Sequence, residues 1–289
     1  MTYIVHGATG AQGSPVLASL LAAGHAATAA VRNPDSIPAG ATPAAVDLTD
    51  AAALTALYTG ADGVFVHLPM GAPGVDSAQA DAVATAIAAA RPARVVISTS
   101  GLIVDQPESP LQATESGPLR TLIRRVVESG VSTAVVSPRL YLENLLLPVI
   151  AGPAQEDGVL RYPLPADYSV SWSSHLDVAE VVVRLLTEDA GSRTEGVISI
   201  GHLPGLTGDE LAAEFSAALG HTVRFEGITP TAFGELITPL FGPGAAAVVG
   251  LYEALNAQTG YEISPENSAQ QELSLTPRPV ADWLRGILA

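Results

Sequence analysis

A chain of 289 residues has room for one large α/β domain, alone or with a smaller lobe, and 48% hydrophobic against 15% charged residues places it far from the composition of disorder. With no cysteine there is no disulfide framework, thiolate nucleophile or cysteine-ligated zinc, and all thirteen basic residues are arginine, so lysine chemistry is absent too. A formal net charge of −16 repels polyanions and argues against nucleic-acid or anionic-membrane partners.

The chain passes from Met1-Thr2 straight into the apolar run Tyr3-Ile4-Val5, without the basic and cleavable pattern of a secretory leader, and no uninterrupted apolar stretch approaches about 18 residues. A cytoplasmic protein acting on a small-molecule substrate, with no membrane and no nucleic acid as partner, is the expected class. The oligomeric state stays open, a homodimer being one option. None of the six histidines stands at helical i, i+4 spacing beside a carboxylate, so no metal is expected.

Six short apolar runs read as strands: Tyr3–Val5, Ala27–Val31, Ala44–Val46, Val64–Leu68, Val95–Thr99 and Ala134–Ser137. Helical patterns separate them. One opens at Ser14-Pro15 and stops at Gly24, and a second is capped by Asp50 and ends at Gly60. Two more run over Ser77–Ala90 and Ser116–Ser129. Strand and helix alternate as in βαβ units, which predicts an α/β Rossmann fold, a doubly wound parallel sheet, over residues 1–145.

From residue 146 to 289 the chain is punctuated by Pro and Gly, as in Gly152-Pro153 and Gly242-Pro243-Gly244, and reads as a smaller substrate lobe. Residues 171–201 are the exception. Their helix Asp177–Leu186 and strand Val197–Gly201 are expected to return to the sheet. Helices over Thr207–Leu219, Pro230–Leu236 and Ala245–Leu255 remain for the lobe, and Trp172 and Phe241 are expected in its core or as pocket wall.

Directly after the first strand stands Gly7-Ala8-Thr9-Gly10-Ala11-Gln12-Gly13, spaced G-x-x-G-x-x-G. Such a turn at a helix N-terminus aims backbone N–H groups and the positive helix end at a pyrophosphate. Gly7, Thr9, Gly10, Ala11, Gln12 and Gly13 are therefore expected to bind a dinucleotide. The second strand ends on Arg32, where a guanidinium matches the 2′-phosphate of NADP(H) and a carboxylate would have matched NAD. Asp47, with Leu48 beside it, is placed to accept from the adenine amino group or to cap the next helix.

These residues, with Tyr141-Leu142-Glu143-Asn144, Pro163-Leu164-Pro165, His175-Leu176-Asp177-Val178-Ala179 and Leu206-Thr207-Gly208-Asp209-Glu210-Leu211, resemble the NmrA-like family of atypical short-chain dehydrogenases/reductases, most of all its NADPH:quinone oxidoreductase branch. The resemblance spans nearly the whole chain. It implies NADPH lying across the strand ends, with His67, Leu68 and Pro69, and Ser98, Thr99 and Ser100, near the nicotinamide. Two departures stand out: the family's arginine before the proline of Val136-Ser137-Pro138-Arg139 is displaced by two residues, and the catalytic lysine of related reductases has no counterpart.

Without an ammonium to lower a tyrosine pKa, the demanding step of protonating an alkoxide is out of reach. A quinone or activated enone asks less, because its hydride adduct is a stabilised phenolate or enolate. The reading is thus an NADPH-dependent oxidoreductase for such acceptors, with Tyr141 and then Ser100 as candidate catalytic hydroxyls. A sensor that binds NADP(H) without turnover and acts through a protein partner is the alternative. His175 with Asp177 is not read as a dyad, because i, i+2 side chains diverge on a helix.

Overall fold

The structure, a computed structural model, describes residues 1–34, 37–69 and 74–289. Its first part runs β1 (Thr2–His6), α1 (Gly13–Ala22), β2 (Ala26–Val31), β3 (Thr42–Ala45), α2 (Ala51–Tyr58), β4 (Gly63–His67), α3 (Val75–Ala90), β5 (Val95–Ser98), α4 (Pro118–Glu128) and β6 (Thr133–Pro138). Then follow α5 (Pro148–Glu156), β7 (Val159–Tyr162), β8 (Ser169–Val170), α6 (His175–Thr187) and β9 (Gly196–Ile200). The chain ends with α7 (Gly208–Leu219), β10 (Arg224–Gly227), α8 (Pro230–Phe241), α9 (Ala245–Asn256), β11 (Gly260–Tyr261), α10 (Ala269–Leu273) and α11 (Val280–Leu288).

Seven strands form one sheet in the order β3-β2-β1-β4-β5-β6-β9, the doubly wound α/β arrangement that the alternating pattern predicts. β1 pairs in parallel with β2 on one side and with β4 on the other, and β5 continues the parallel set to β6. The strands are continuously apolar because helices cover both faces. On one face Ile4, Val64, Val66, Val95 and Ile97 meet Leu54 and Tyr58 of α2, Val83 and Ile87 of α3, and Leu122 and Val126 of α4. On the other, α1 packs beside α6.

β3 starts earlier than the sequence suggests, at Thr42, and includes Pro43. Pro43 is tolerated because β3 is an edge strand, where a missing N–H costs no ladder bond. Arg94 is fully buried between the sheet and α6. It donates to the carbonyls of Leu185 and Thr194 and to Ser132 Oγ, and lies 3.6 Å from the Glu188 carboxylate.

The chain divides into two compact units. The first holds residues 1–138, 175–199 and 269–275; the second holds 139–174, 200–268 and 276–289. Within the second, β7 pairs with β10 and β8 with β11, and the rings of Tyr162, Trp172, Phe233 and Tyr252 form a buried cluster in which the Tyr162 and Tyr252 hydroxyls hydrogen-bond. Trp172 lies in the core, one of its two expected places, whereas Phe241, at the end of α8, is 47% exposed and is not core.

One segment departs from the hydropathy reading. The helical run Pro230–Asn256 has the length and mean hydropathy, 1.4, of a membrane span by composition. Gly242–Gly244 breaks it, and α8 and α9 fold back on each other, with Phe233 edge-on to Tyr252 at 5.4 Å. Gly234 permits that approach, since a Cβ there would lie 2.5 Å from Val249 Cγ2.

Candidate functional site

Strand order reverses direction between β1 and β4, and in open α/β sheets the crevice beyond the strand ends at such a point receives ligands. The residues at these ends are Gly7 after β1, His67 closing β4 and Ser98 closing β5. His67 and Ser98 are register partners.

The glycine turn is built from backbone contacts that side chains would block. Gly7 has φ +57° and its N–H donates to Ala30 O at 3.1 Å. Gly10 N–H donates to Gly7 O at 2.7 Å and Ser14 N–H to Gly10 O at 3.0 Å. A Cβ on Gly13 would lie 2.3 Å from Gly7 O and 2.5 Å from His6 O, so the helix start presses onto the strand end. Among the described residues the N–H groups of Ala11, Gln12 and Gly13 have no backbone acceptor, as the first turn of a helix requires. No acidic residue stands in that turn. Free donors, the helix dipole and a cradle that a Cβ would fill together suit a phosphate anion.

Gln12 does more than contribute its backbone. Its side chain leaves α1 uncapped and crosses to β5, where Oε1 accepts from Ser98 Oγ at 2.7 Å and Nε2 donates to Ser100 Oγ at 3.0 Å. Ser100 N–H in turn donates to Ser98 Oγ at 3.2 Å. Ser100 stands at φ +56° ahead of Gly101 at +92°, a left-handed pair that turns the chain sharply off the strand. Thr99 is buried, and its Oγ1 finds no partner among the described residues.

His67 lies with its imidazole against Gly7, its buried Nε2 unbonded among the described residues. Burial lowers its pKa, against an opposing pull from the backbone of His6 and Leu68. His6, wholly buried, meets the Tyr58 hydroxyl through Nε2 at 2.6 Å, and burial followed by the charge of His67 brings its pKa to about 3. His175 at the start of α6 feels the same two influences and falls to about 4. This neutral histidine trio was not legible in the sequence, where the three stand far apart.

At the other end of the crevice Arg32 is exposed just beyond β2. Asp47 is exposed as well, and its Oδ1 accepts from Thr49 N–H and Thr49 Oγ1, both at 2.8 Å. Those bonds, with a lesser contribution from Arg32, hold its carboxyl below the usual range. Asp47 does not cap α2; Asp50 does, accepting from Ala52 and Ala53 N–H at 3.0 Å. Leu48 and Leu68 are half-buried and Pro69 is exposed.

Tyr141 belongs to the second unit, where it bridges to Ser173 and its carbonyl accepts from Asn144 N–H at 3.1 Å. The Asn144 side chain hydrogen-bonds Tyr162. Every other residue expected to bind the cofactor or to act catalytically lies in the first unit.

Sheet order, helix placement and glycine turn define a doubly wound α/β protein. The model of the NmrA-like family matches residues 1–284, and the chain belongs to that family. It is similar to the NAD(P)H azoreductase of Xenophilus azovorans, 32% identical over 99% of this chain and 90% of that protein. Among solved structures it resembles the NADPH-dependent quinone oxidoreductase of Escherichia coli in complex with NADPH, with TM-score 0.77 and 22% identity over all of both chains. The triphenylmethane reductase of Citrobacter sp. complexed with NADP(H) gives TM-score 0.79 and 16% identity over 99% of both.

Proposed function

We propose that this chain is an NADPH-dependent oxidoreductase that reduces a quinone or similarly activated carbonyl or enone acceptor. The observation that carries the reading is the glycine turn at the β1/β4 switch point, with three adjacent N–H donors and no carboxylate to oppose a pyrophosphate. It is supported by membership of the NmrA-like family and by the azoreductase relative.

In this reading Gly7, Thr9, Gly10, Ala11, Gln12 and Gly13 hold the pyrophosphate, and Arg32 pairs with the 2′-phosphate. Asp47 and Leu48 flank the adenine. His67, Leu68, Pro69, Ser98 and Thr99 line the nicotinamide half, where the unbonded Thr99 Oγ1 is a ready donor or acceptor. The reduced nicotinamide, when bound, supplies hydride to the acceptor. The chain's own part is to orient the acceptor, exclude water and offer a hydroxyl to the atom that gains negative charge. Tyr141 and Ser100 are the two alternative candidates for that hydroxyl. With no lysine in the chain, neither hydroxyl is activated by an ammonium, which restricts the acceptor to those whose reduced form is already stabilised.

The test is NADPH oxidation by the purified protein against quinones, enones, aldehydes and an azo dye, with parallel titration of NADPH and NADH. The expected result is turnover on quinones or the azo dye and tighter binding of NADPH. Tight NADPH binding with no turnover on any acceptor would overturn the enzyme reading and favour the sensor.

A further inference from the structure

We propose that Gln12 is a positioning residue that fixes the hydroxyl of Ser100 as a hydrogen-bond donor to the acceptor atom on which negative charge develops; this deepens the reductase reading and rests on it.

The argument follows the protons. Ser98 is 1% exposed, and its Oγ already accepts the N–H of Ser100. A buried hydroxyl must also place its own proton, and among the described residues Gln12 Oε1, at 2.7 Å, receives it. That bond sets the orientation of the amide, because the opposite flip would leave the Ser98 proton facing an NH₂ group. With Oε1 on Ser98, Nε2 is committed to Ser100 Oγ at 3.0 Å. Ser100 Oγ accepts from Gln12, and its own proton is left to be given away. The four groups run in one direction: Ser100 N–H to Ser98, Ser98 to Gln12, Gln12 to Ser100, and Ser100 outward. Each bond polarises the next and strengthens the last donor.

The backbone supports the same assignment. At φ +56° a side chain costs about 1 kcal/mol or more relative to glycine, yet position 100 carries a hydroxyl there. The turn thereby holds Ser100 Oγ within reach of Gln12 at the mouth of the glycine turn. At neutral pH no other side chain with a stem of this length joins an amide-like donor and acceptor. Asparagine is one methylene shorter, and glutamate when ionised can only accept.

The last property makes the test. A neutral carboxyl at position 12 has the same donor and acceptor pair as the amide, whereas a carboxylate accepts from both serines and turns the Ser100 proton inward. The histidines of the neighbouring β1, β4 and α6 are His6, His67 and His175, and burial holds all three below the ordinary histidine value; β1 also carries Tyr3, and α6 carries Asp177, Glu180 and Arg184. The three histidines remain neutral over most of the window of the measurement.

Full-length protein with Gln12→Glu, Gln12→Ala and Ser100→Ala, singly and combined, is assayed for menadione and azo-dye reduction at saturating NADPH from pH 5.5 to 8. NADPH affinity is followed by nicotinamide fluorescence and ligand-free stability by thermal melting. With an ordinary pKa of about 4.3 the carboxyl of Gln12→Glu is ionised across this window, so its kcat is expected to lie about tenfold or more below the wild type throughout, and the same substitution in the Ser100→Ala background is expected to add no further loss. Melting shifts of Gln12→Ala and Ser100→Ala should be less than additive. A Gln12→Glu kcat equal to the wild type, or a loss of the same size that persists without the Ser100 hydroxyl, overturns the assignment of Gln12 alone. Wild-type protein that binds NADPH and reduces neither acceptor overturns the reductase reading and this assignment with it.

Discussion

The imidazole of His67 occupies the space that a side chain on Gly7 would need: a Cβ at residue 7 would lie 2.4 Å from His67 Nε2 and 3.0 Å from its Cε1. Two strands are thereby locked at the switch point by one side chain and one missing side chain. Gly7 is constrained twice, by this contact and by φ +57°.

Gly7→Ala is therefore expected to impair NADPH binding and to lower stability. The left-handed backbone alone accounts for about 1–2 kcal/mol. Combining it with His67→Ala should recover only the steric part, so the double variant should melt above Gly7→Ala yet below His67→Ala. Equal melting of Gly7→Ala and wild type would show that the turn relaxes freely.

Gly13→Ala offers no such rescue, because its obstacles are the carbonyl oxygens of Gly7 and His6 at 2.3 and 2.5 Å. Backbone cannot swing aside as a side chain can. The expected outcome is loss of NADPH affinity by more than tenfold, read by fluorescence titration, in a protein that retains its helical circular dichroism.

Arg32→Ala tests the cofactor choice. An exposed guanidinium at the end of β2 suits the 2′-phosphate, and charge-assisted bonds of this kind contribute about 1.5–3 kcal/mol. NADPH binding should weaken about 10- to 100-fold while NADH binding stays unchanged. A parallel loss for both nucleotides would refute the role.

Stability should depend on pH through the buried histidines. His6 and His175 have folded pKa values of about 3 and about 4, below the unfolded value of about 6.5, so the unfolded chain binds protons that the folded chain refuses. Their contribution is complete above about pH 6.5 and is lost progressively as pH falls toward 4, by up to about 1.4 kcal/mol per pH unit for each group. Urea midpoints measured from pH 7 to 5 should fall, and His6→Gln, which keeps an acceptor for Tyr58 Oη, should shallow the slope.

Arg94→Ala removes a fully buried guanidinium and leaves the Glu188 carboxylate, itself 6% exposed, with its two Thr194 hydrogen bonds but without the neighbouring positive charge. The expected loss is about 3–5 kcal/mol, seen in urea unfolding, with NADPH affinity unaffected in the folded fraction.

Much of the fold could be read from short windows. Val64–Val66 and Val95–Ile97 announce covered parallel strands, Asp50 and Thr207 act as helix caps, and Gly7, Gly10 and Gly13 mark the turn, because each signal depends on residues a few positions apart. Local reading went astray where context overrides propensity. Pro43 joins a strand because that strand is an edge, and Pro239 stays within α8.

By itself the sequence determined the alternation of strands and helices, the glycine turn after β1, the arginine after β2 and the absence of lysine. All of these are local or compositional properties. Only the tertiary structure decided that Gln12 meets Ser98 and Ser100, 86 and 88 residues away, that His67 fills the void at Gly7, and that His6, His67 and His175 share one buried neighbourhood. Such meetings follow from strand order and register, which bring the ends of β1, β4 and β5 side by side and which no short window of sequence contains.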